Sequence, residues 1–444
     1  MNTSTITAIH KKAQLLFQQR IKDANTFWSN VSEEEAQHLI GTSRLIDGDS
    51  KFAEKVVELH KHNDAILYNL YKHYENSTKK RNYYKSGIVN KKLIKEEEGK
   101  ALTKKIAVFL PHVSWTGGMK MIFTLGDILK HKGYHIDYYI PYNSTGEILN
   151  LEVGPISLQA ITYENDSSIQ SFSSQYDLAI ATYWDLIFPL YQNFKKTVHF
   201  GQGDYNTFSN KPEKIKMLQL FYSLPVHHMG VSSFLTDIMR QNYNRKSWIV
   251  PCSVNLNKFN VNKNLEKENY ILVIGNASNI YKNTKETIEN LLPIAEKLNT
   301  HIKWVTPTEG EFNHHLVETI INPSQAELVR LLQKAKVLVN GSLIEAFSLP
   351  PLEAMACGTP VVASNSMGIL QYAVNAKNIL LFSFKNYELM REHISTIYTK
   401  REIELSLIKE GLETARDYEE GAINEMNFEL IENEFLVSRF IKPF

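Results

Sequence analysis

The sequence lacks the features that mark a secreted, disulfide-stabilised or membrane-spanning chain. Its 444 residues include only two cysteines, Cys252 and Cys357, whose spacing fits neither a disulfide framework nor a metal site. No stretch approaches the roughly 18 consecutive apolar residues of a membrane helix. The opening residues, MNTSTITAIHKKAQ, lack the apolar segment of a signal peptide. We therefore expect a cytoplasmic protein, with any membrane contact peripheral and at the inner face.

The sequence also lacks an excess of charge of either sign. It contains 49 Lys and Arg against 48 Asp and Glu, for a net charge of +1. Such a balance gives no overall field that would attract nucleic acid, so no nucleic-acid partner is expected. The hydrophobic content of 43% and charged content of 22% are typical of a globular protein. The length predicts two or three domains.

The first hundred residues differ from the rest. Residues 1–78 carry apolar residues at helical spacing, which predicts a helical appendage that packs on a neighbour or forms a homo-oligomer. Residues 79–103 are predicted to be a linker, and the stretch from Lys79 to Lys105 holds ten Lys or Arg against three Glu. We favour a solvated linker. A patch for an anionic acceptor or a lipid headgroup is the alternative.

From residue 104 onward, short apolar runs alternate with helical patterns. The first series contains KKIAVFLP, DLAIATYW, TVHFG and HHMGVS, and the second contains YILVIGN, HIKWVT, ETIIN, KVLVNGS and TPVVAS. This alternation predicts an α/β fold with two Rossmann-like units, 104–254 and 255–423, whose strand carboxyl ends face a shared cleft. A final helix within 424–444 is expected to complete the first unit.

The stretch EAFSLPPLE, residues 345–353, carries the clearest chemical signal. It places Glu345 in the loop after a predicted strand and Glu353 on the helix that follows. The proline pair suits a first helical turn, where a missing N–H is not needed. The amides of residues 347–349 then point out of the helix start, which favours an anion such as a diphosphate. The spacing taken alone also fits a buried capping pair.

The wider stretch GSLIEAFSLPPLEAMACGTPVVAS, with Gly117-Gly118 after the first strand, resembles the E-x7-E signature of retaining glycosyltransferases of group 1, family four. These enzymes have the GT-B fold. The resemblance runs from Lys104 to the C-terminus. It implies transfer from a nucleoside diphosphate sugar, with a UDP-sugar favoured and no cofactor, to a carbohydrate, glycolipid or glycopolymer acceptor. Surface polysaccharide, glycopolymer or glycoconjugate synthesis is the expected role.

The resemblance also assigns roles within the motif. Glu345 is expected to contact hydroxyls of the donor sugar, and Glu353 to bond the nucleotide ribose. The amides of Phe347, Ser348 and Leu349 are expected to hold the diphosphate.

One position departs from the family. An Arg and a Lys after the first strand of the second unit normally neutralise the diphosphate. In VIGNASNIYKN, Lys282 takes the Lys position, but Asn276 stands in place of Arg. An amide cannot replace the bidentate, charged bonds of a guanidinium. Three outcomes follow: Lys282 and the helix start suffice, another cation such as Lys285 or Lys120 compensates, or donor binding is weak.

The first unit offers weaker candidates. Gly117 and Gly118 permit the close backbone approach that a phosphate or sugar requires. The acceptor-side candidates lie near predicted strand ends and are equally open to structural roles: Tyr183, Trp184, His199 and Asp204.

Other functions are weighed against this interpretation. Asp47-Gly-Asp49 matches a D-x-D metal motif, but it joins two predicted helices, so we expect a turn and metal-independent chemistry. A sugar-nucleotide epimerase is an alternative, as is a phosphorylase with lysine-bound pyridoxal phosphate, for which we see no clear site. A non-catalytic GT-B subunit is the third, because of Asn276.

Overall fold

The structure is a computed structural model that describes residues 104–111, 117–140, 160–162, 172–203, 218, 221–243, 245–307, 312–383 and 385–437. The predicted appendage 1–78 and linker 79–103 lie outside these residues. So do Asp204 and the stretch Asp47-Gly-Asp49, for which a turn was predicted.

The first unit is built on a seven-stranded parallel sheet in the order β3-β2-β1-β4-β5-β6-β7. Its strands are β1 (Lys105–Phe109), β2 (His135–Ile140), β3 (Ala160–Thr162), β4 (Leu178–Ala181), β5 (Thr197–Gly201), β6 (His227–Gly230) and β7 (Ser247–Ile249). Its helices are α1 (Gly117–His131), α2 (Ile187–Asn193) and α3 (Ser233–Tyr243), with a 3₁₀ turn at Trp184–Leu186. The runs KIAVF and LAIA form strands that are almost entirely buried, as expected of a parallel sheet covered on both faces.

The second unit contains a six-stranded parallel sheet in the order β10-β9-β8-β11-β12-β13. Its strands are β8 (Tyr270–Ile274), β9 (His301–Thr306), β10 (Val317–Ile321), β11 (Val337–Asn340), β12 (Val361–Ser364) and β13 (Leu380–Phe382). Its helices are α4 (Thr284–Lys297), α5 (Gln325–Lys334), α6 (Leu349–Ala356), α7 (Tyr387–Thr399) and α8 (Arg401–Asp417), with a 3₁₀ turn at Gly368–Gln371. A capping box of Ser324 and Glu327 begins α5, as the sequence predicted.

The last described helix returns to the first unit. Helix α9 (Glu420–Ile431) continues into a π-helical segment, Glu432–Val437. Lys132, just after α1, contacts Glu425 at 2.5 Å, and the Tyr134 hydroxyl donates to Glu432 at 2.7 Å. The C-terminal helix thus packs against the first unit, while the domain limits given above stay predictions.

Both cysteines, Cys252 and Cys357, are buried free thiols. In the part of the chain that the structure describes, none of the helices is long and apolar enough to cross a bilayer. Within the same residues, no group of three or more His, Cys, Asp or Glu side chains is arranged to hold a metal ion.

Candidate active site

The candidate residues lie where the strand order of each sheet reverses. From β8 the chain winds outward through β9 to β10, and it then returns to β11 on the other side of β8. The loops that leave β8 and β11 therefore diverge and open a crevice at the carboxyl ends of these strands. The same reversal occurs between β1 and β4 in the first sheet. Lys282 follows β8, and Glu345 follows β11.

Lys282 and Glu345 meet in this crevice. The Lys282 ammonium lies 2.7 Å from Oε1 and 3.0 Å from Oε2 of Glu345. The Glu345 side chain is only 10% exposed, whereas that of Lys282 is 33% exposed. The pair is therefore half-open to a ligand, with the carboxylate held inside and the ammonium at the rim.

The backbone of Glu345 is fixed on both sides. Its N–H donates to the Ser366 carbonyl, and its own carbonyl accepts from the N–H of Gly368, both at 2.9 Å. A Cβ at Gly368 would lie 2.1 Å from the Ala346 carbonyl oxygen, so the approach of the two loops requires glycine there. The loop after β12 thus sets the position of the first glutamate of the motif.

Helix α6 begins immediately after this loop. Pro350 and Pro351 are its second and third residues, as the sequence predicted for a first turn. Ser348 precedes the helix with φ +75°, a left-handed conformation that favours glycine. Its hydroxyl accepts from the Asn340 amide at 2.9 Å, and its carbonyl accepts from the Tyr372 hydroxyl at 2.5 Å. These hydrogen bonds fix the position of the start of α6 beside the crevice.

The ring of Phe347 is part of the buried core. It is buried against Tyr372 and Tyr418, with centroid distances of 5.3 and 5.8 Å. The amides of Phe347, Ser348 and Leu349 precede the first intrahelical hydrogen bond of α6, as an anion site at a helix start requires.

Glu353, the second glutamate, lies on α6 and faces the first unit. Its side chain is 12% exposed, and Lys120 of α1 approaches its Oε1 to 3.6 Å. Burial raises the pKa of Glu353, and the ammonium of Lys120 opposes that rise. A Cβ at Gly117 would stand 3.4 Å from Leu349, so the start of α1 faces the start of α6. Gly117 and Gly118, which the structure places in the first turn of α1 and not in a loop, are thereby brought to the motif.

Asn276 has a local role in the loop after β8. Its Oδ1 accepts from the N–H and the hydroxyl of Ser278, at 3.0 and 2.8 Å. This turn shapes the loop that carries Lys282. Lys285 is exposed on the first turn of α4.

Two acceptor-side candidates of the first unit are buried, which corrects their assignment. Trp184 is 3% exposed and packs against Phe221 with ring centroids 5.8 Å apart, so it belongs to the core. His199 is 2% exposed, and its Nδ1 lies 2.9 Å from Nδ1 of His228. Burial lowers the pKa of His199 to about 3. Tyr183 is half-buried and remains a candidate.

Comparison with known proteins identifies the second unit. Residues 255–414 match the family described as glycosyl transferases group 1. Over that range the chain is similar to group 1 glycosyltransferases. The predicted resemblance to group 1 glycosyltransferases is confirmed for this range, which contains Lys282, Glu345 and Glu353. The retaining mechanism and the roles of the three residues stay predictions.

Curated relatives of the group 1 domain are bacterial. The chain is 30% identical over 194 residues to the O-antigen chain mannosyltransferase RfbU of Salmonella typhimurium, covering 40% of this chain and 53% of that protein. It is 29% identical over 175 residues to N,N'-diacetylbacillosaminyl-diphospho-undecaprenol alpha-1,3-N-acetylgalactosaminyltransferase of Campylobacter jejuni, covering 38% and 46%. The chain spans about half the length of the curated relatives it matches.

Solved structures confirm the predicted GT-B fold. Sucrose-phosphate synthase from Thermosynechococcus elongatus matches with a TM-score of 0.60 and 18% identity, covering 76% of this chain and all of the other. HepE of Anabaena, solved with UDP-glucose, matches with a TM-score of 0.61 and 12% identity, covering 74% and all of the other. At such identities the likeness concerns the fold.

Two features of the group 1 site were not found from the sequence. One is the loop after β12, SNSMG, which fixes Glu345. Its position after a predicted strand was the available signal, because loops at the carboxyl ends of parallel strands gather at one edge. The other is the contact of Lys120 with Glu353, which joins residues 233 positions apart.

Proposed function

We propose that the chain is a retaining glycosyltransferase that moves a sugar from a nucleoside diphosphate sugar to a hydroxyl acceptor. The observation that carries this proposal is the pair of Lys282 and Glu345 at the start of α6, inside the group 1 domain. A buried carboxylate can accept hydrogen bonds from sugar hydroxyls. The adjacent ammonium and the helix start can bind a diphosphate.

In the proposed reaction, the bond between the anomeric carbon and the diphosphate oxygen breaks, and its electron pair stays on the phosphate. The acceptor oxygen forms the new bond on the face that the diphosphate leaves, and its proton passes to a phosphate oxygen. Lys282 and the amides of residues 347–349 stabilise the charge that develops on the leaving group. Glu345 orients the sugar. No metal or other cofactor takes part in this proposal.

The donor and the acceptor are proposed by class. HepE was solved with UDP-glucose, which supports a UDP-sugar as donor. The names of the relatives refer to O-antigen chains and to a diphospho-undecaprenol, which supports a carbohydrate, glycolipid or glycopolymer acceptor. We place the activity in surface polysaccharide or glycoconjugate synthesis. A lipid-linked acceptor would bring the protein to the inner face of the membrane.

The test measures transfer of labelled sugar from UDP-glucose, UDP-N-acetylglucosamine, UDP-N-acetylgalactosamine and GDP-mannose to lipid-linked and soluble glycan acceptors. Wild type should transfer from one of these donors. Glu345→Gln should lower the rate by about 100- to 1000-fold, the effect of removing one preorganised contact in other enzymes. The matched control Glu318→Gln changes an exposed glutamate on β10 and should leave the rate unchanged. Full activity of Glu345→Gln would refute the assignment, and an inverted anomeric configuration by NMR would refute retention.

A non-catalytic GT-B subunit is the second candidate. The observation that favours it is Asn276, which stands where the family has an arginine that binds the diphosphate. The amide oxygen of Asn276 instead accepts hydrogen bonds from Ser278 in its own loop. This candidate predicts calorimetric binding of a nucleoside diphosphate with no sugar transfer from any donor of the panel.

A further inference from the structure

Lys120 of the first unit contacts Glu353 of the E-x7-E motif. Among the residues that the structure describes, this is the only contact between a cation of the first unit and a glutamate of the motif. The Lys120 side chain is 23% exposed and that of Glu353 is 12% exposed, so water screens this pair less than a surface pair. Lys120 lies in the first turn of α1, whereas Glu353 belongs to α6. The pair therefore spans the two units.

This contact favours the ionised form of Glu353. Burial disfavours an ionised carboxyl group and raises the pKa of Glu353, and Lys120 provides the described cation that opposes this effect. The other titratable groups near Glu353 are Tyr372 and Cys357, whose own pKa values are raised by burial. Both are neutral at pH 7. Glu353 is thus stabilised as a carboxylate from the opposite unit.

Lys120 is placed by the first unit. Its neighbours Met119 and Met121 are buried in the core beneath α1. Its ammonium also lies 5.4 Å from the ring centroid of Phe259, which belongs to the second unit. The units also meet where the Ser233 N–H donates to Oε1 of Gln371 at 2.8 Å. Because α1 moves with the first unit, a separation of the units would withdraw the ammonium from Glu353.

The charge state of Glu353 decides what it can bind. A carboxylate offers only acceptors, and can take hydrogen bonds from both hydroxyls of a ribose. A protonated carboxyl group offers a donor in place of one acceptor and fits a diol less well. Recognition of the nucleotide ribose would then depend on the two units lying against each other.

We propose that Lys120 is a positioning residue that keeps Glu353 ionised when the two units are apposed, so that the ribose of the nucleotide is bound by a carboxylate only in that arrangement. This inference rests on the proposed function, since it takes a nucleoside diphosphate as the ligand of Glu353. It assigns to the first unit a part in donor recognition.

The experiment is a calorimetric titration with UDP, GDP, ADP and dTDP, followed by a pH series from 6 to 9 with the nucleotide that binds wild type. Lys120→Met raises the carboxyl pKa in this account, so less Glu353 is ionised at pH 7 and more is regained as the pH rises. Where the carboxyl pKa of the variant exceeds the pH, Kd should rise about tenfold for each further pKa unit, so we expect weaker binding at pH 6 and pH 7 and an approach to the wild-type Kd at pH 9. Lys120→Arg should restore the wild-type profile.

The controls separate this role from others. In a Glu353→Gln background, Lys120→Met should have no further effect on Kd. Lys132→Met removes a lysine that follows α1 and pairs with Glu425. This variant should leave nucleotide binding unchanged. Lys120→Gln replaces the Met variant if its circular dichroism or melting temperature shows that it fails to fold.

Three results would overturn the inference. Unchanged affinity of Lys120→Met at pH 7 would show that Glu353 needs no such partner. A loss that persists at pH 9, or that is equal in the Glu353→Gln background, would show that Lys120 contacts the phosphates directly. Failure of wild type to bind any of the four nucleotides would instead refute the proposed function itself.

Discussion

Both units contain a parallel sheet with one reversal of strand order, but different kinds of side chain lie near the carboxyl ends of their strands. At the reversal point of the second sheet, the loops after β8 and β11 bring charged side chains together in a half-open crevice, with Lys282 and Glu345 in contact. Near the carboxyl ends of the first sheet, Trp184 and His199 are buried among aromatic side chains. The second unit thus carries the charged groups of the candidate site. The described part of the first unit brings the two glycines at the start of α1, and Lys120, close to α6.

This asymmetry has a physical basis. A diphosphate needs fixed cations and free amides, which a single loop and helix start can provide. An acceptor is held by shape and by loops, which differ among relatives of one fold. The second unit therefore contains a short, recognisable motif, whereas the first does not.

The largest expected effect concerns the charge of the second unit. Lys282→Met should lower the rate of sugar transfer by about 100- to 1000-fold, because the leaving diphosphate loses a preorganised cation. It also leaves the buried Glu345 carboxylate without its ion pair, so nucleotide binding should weaken as well. The measurement is the transfer assay with saturating donor.

The matched control is Lys285→Met, which removes an exposed lysine three residues away. It should transfer at the wild-type rate. If the control lost as much activity as Lys282→Met, the loop and not the ammonium would be responsible.

The second prediction compares two crowded glycines. At Gly368 of the second unit, an added Cβ would meet the backbone of Ala346 at 2.1 Å. At Gly126 of the first unit, it would meet the Tyr138 hydroxyl, at the end of a side chain. A side chain can yield and a helix gains from alanine, whereas two backbones cannot both keep their positions. Gly368→Ala should lower the free energy of unfolding by about 3 kcal/mol and Gly126→Ala by about 1 kcal/mol.

Thermal denaturation of both variants at one scan rate checks this prediction. Equal melting temperatures for Gly126→Ala and Gly368→Ala would contradict it. A loss of transfer in Gly368→Ala at temperatures where the variant is folded would indicate that the loop after β12 positions Glu345.

The third prediction concerns pH and the buried histidines of the first unit. Burial lowers the pKa of His199 to about 3 and lowers that of His228 as well, while an unfolded histidine titrates near 6.5. Below pH 6.5 the unfolded chain binds protons that the folded chain does not. The free energy of unfolding should therefore fall, as the pH decreases from 6.5 to 5, by up to about 1.4 kcal/mol per pH unit for each histidine.

Chemical denaturation at pH 5, 6, 7 and 8 measures this dependence. The double variant His199→Gln, His228→Gln removes both groups and should make the curve less steep between pH 6.5 and 5. A smaller slope should remain from His227, whose pKa burial lowers to about 4. An unchanged slope would show that other groups are responsible.

Much of the fold could be predicted because its strands are apolar runs bounded by loops. The predicted apolar runs contain or coincide with strands β1, β5, β8 and β9. Strands β3, β7 and β13 were not predicted, since three residues are too few to establish a pattern. Helices α7 and α8 were also not predicted.

The site could be predicted only in part, for a geometric reason. Glu345, Glu353 and Lys282 were found because each belongs to a local motif. The contact between Lys282 and Glu345 depends on two loops that are 63 positions apart. The burial of Trp184 and His199 depends on neighbours far along the chain. A strand-end position does not tell whether a side chain faces the crevice or the core.

The smallest expected effect tests the backbone that shapes the donor site. Ser348 has a left-handed conformation, and its hydroxyl accepts a hydrogen bond from Asn340. Ser348→Gly relieves the backbone strain, of about 1 kcal/mol, and loses a hydrogen bond of similar value, so the free energy of unfolding should change by less than about 0.5 kcal/mol. Ser348→Ala keeps the strain and loses the bond, and should destabilise by about 1 to 2 kcal/mol. Chemical denaturation of both variants gives the comparison. Because each variant loses the hydroxyl, their difference isolates the backbone, and equal stability of the two would show that the left-handed conformation is not held in solution.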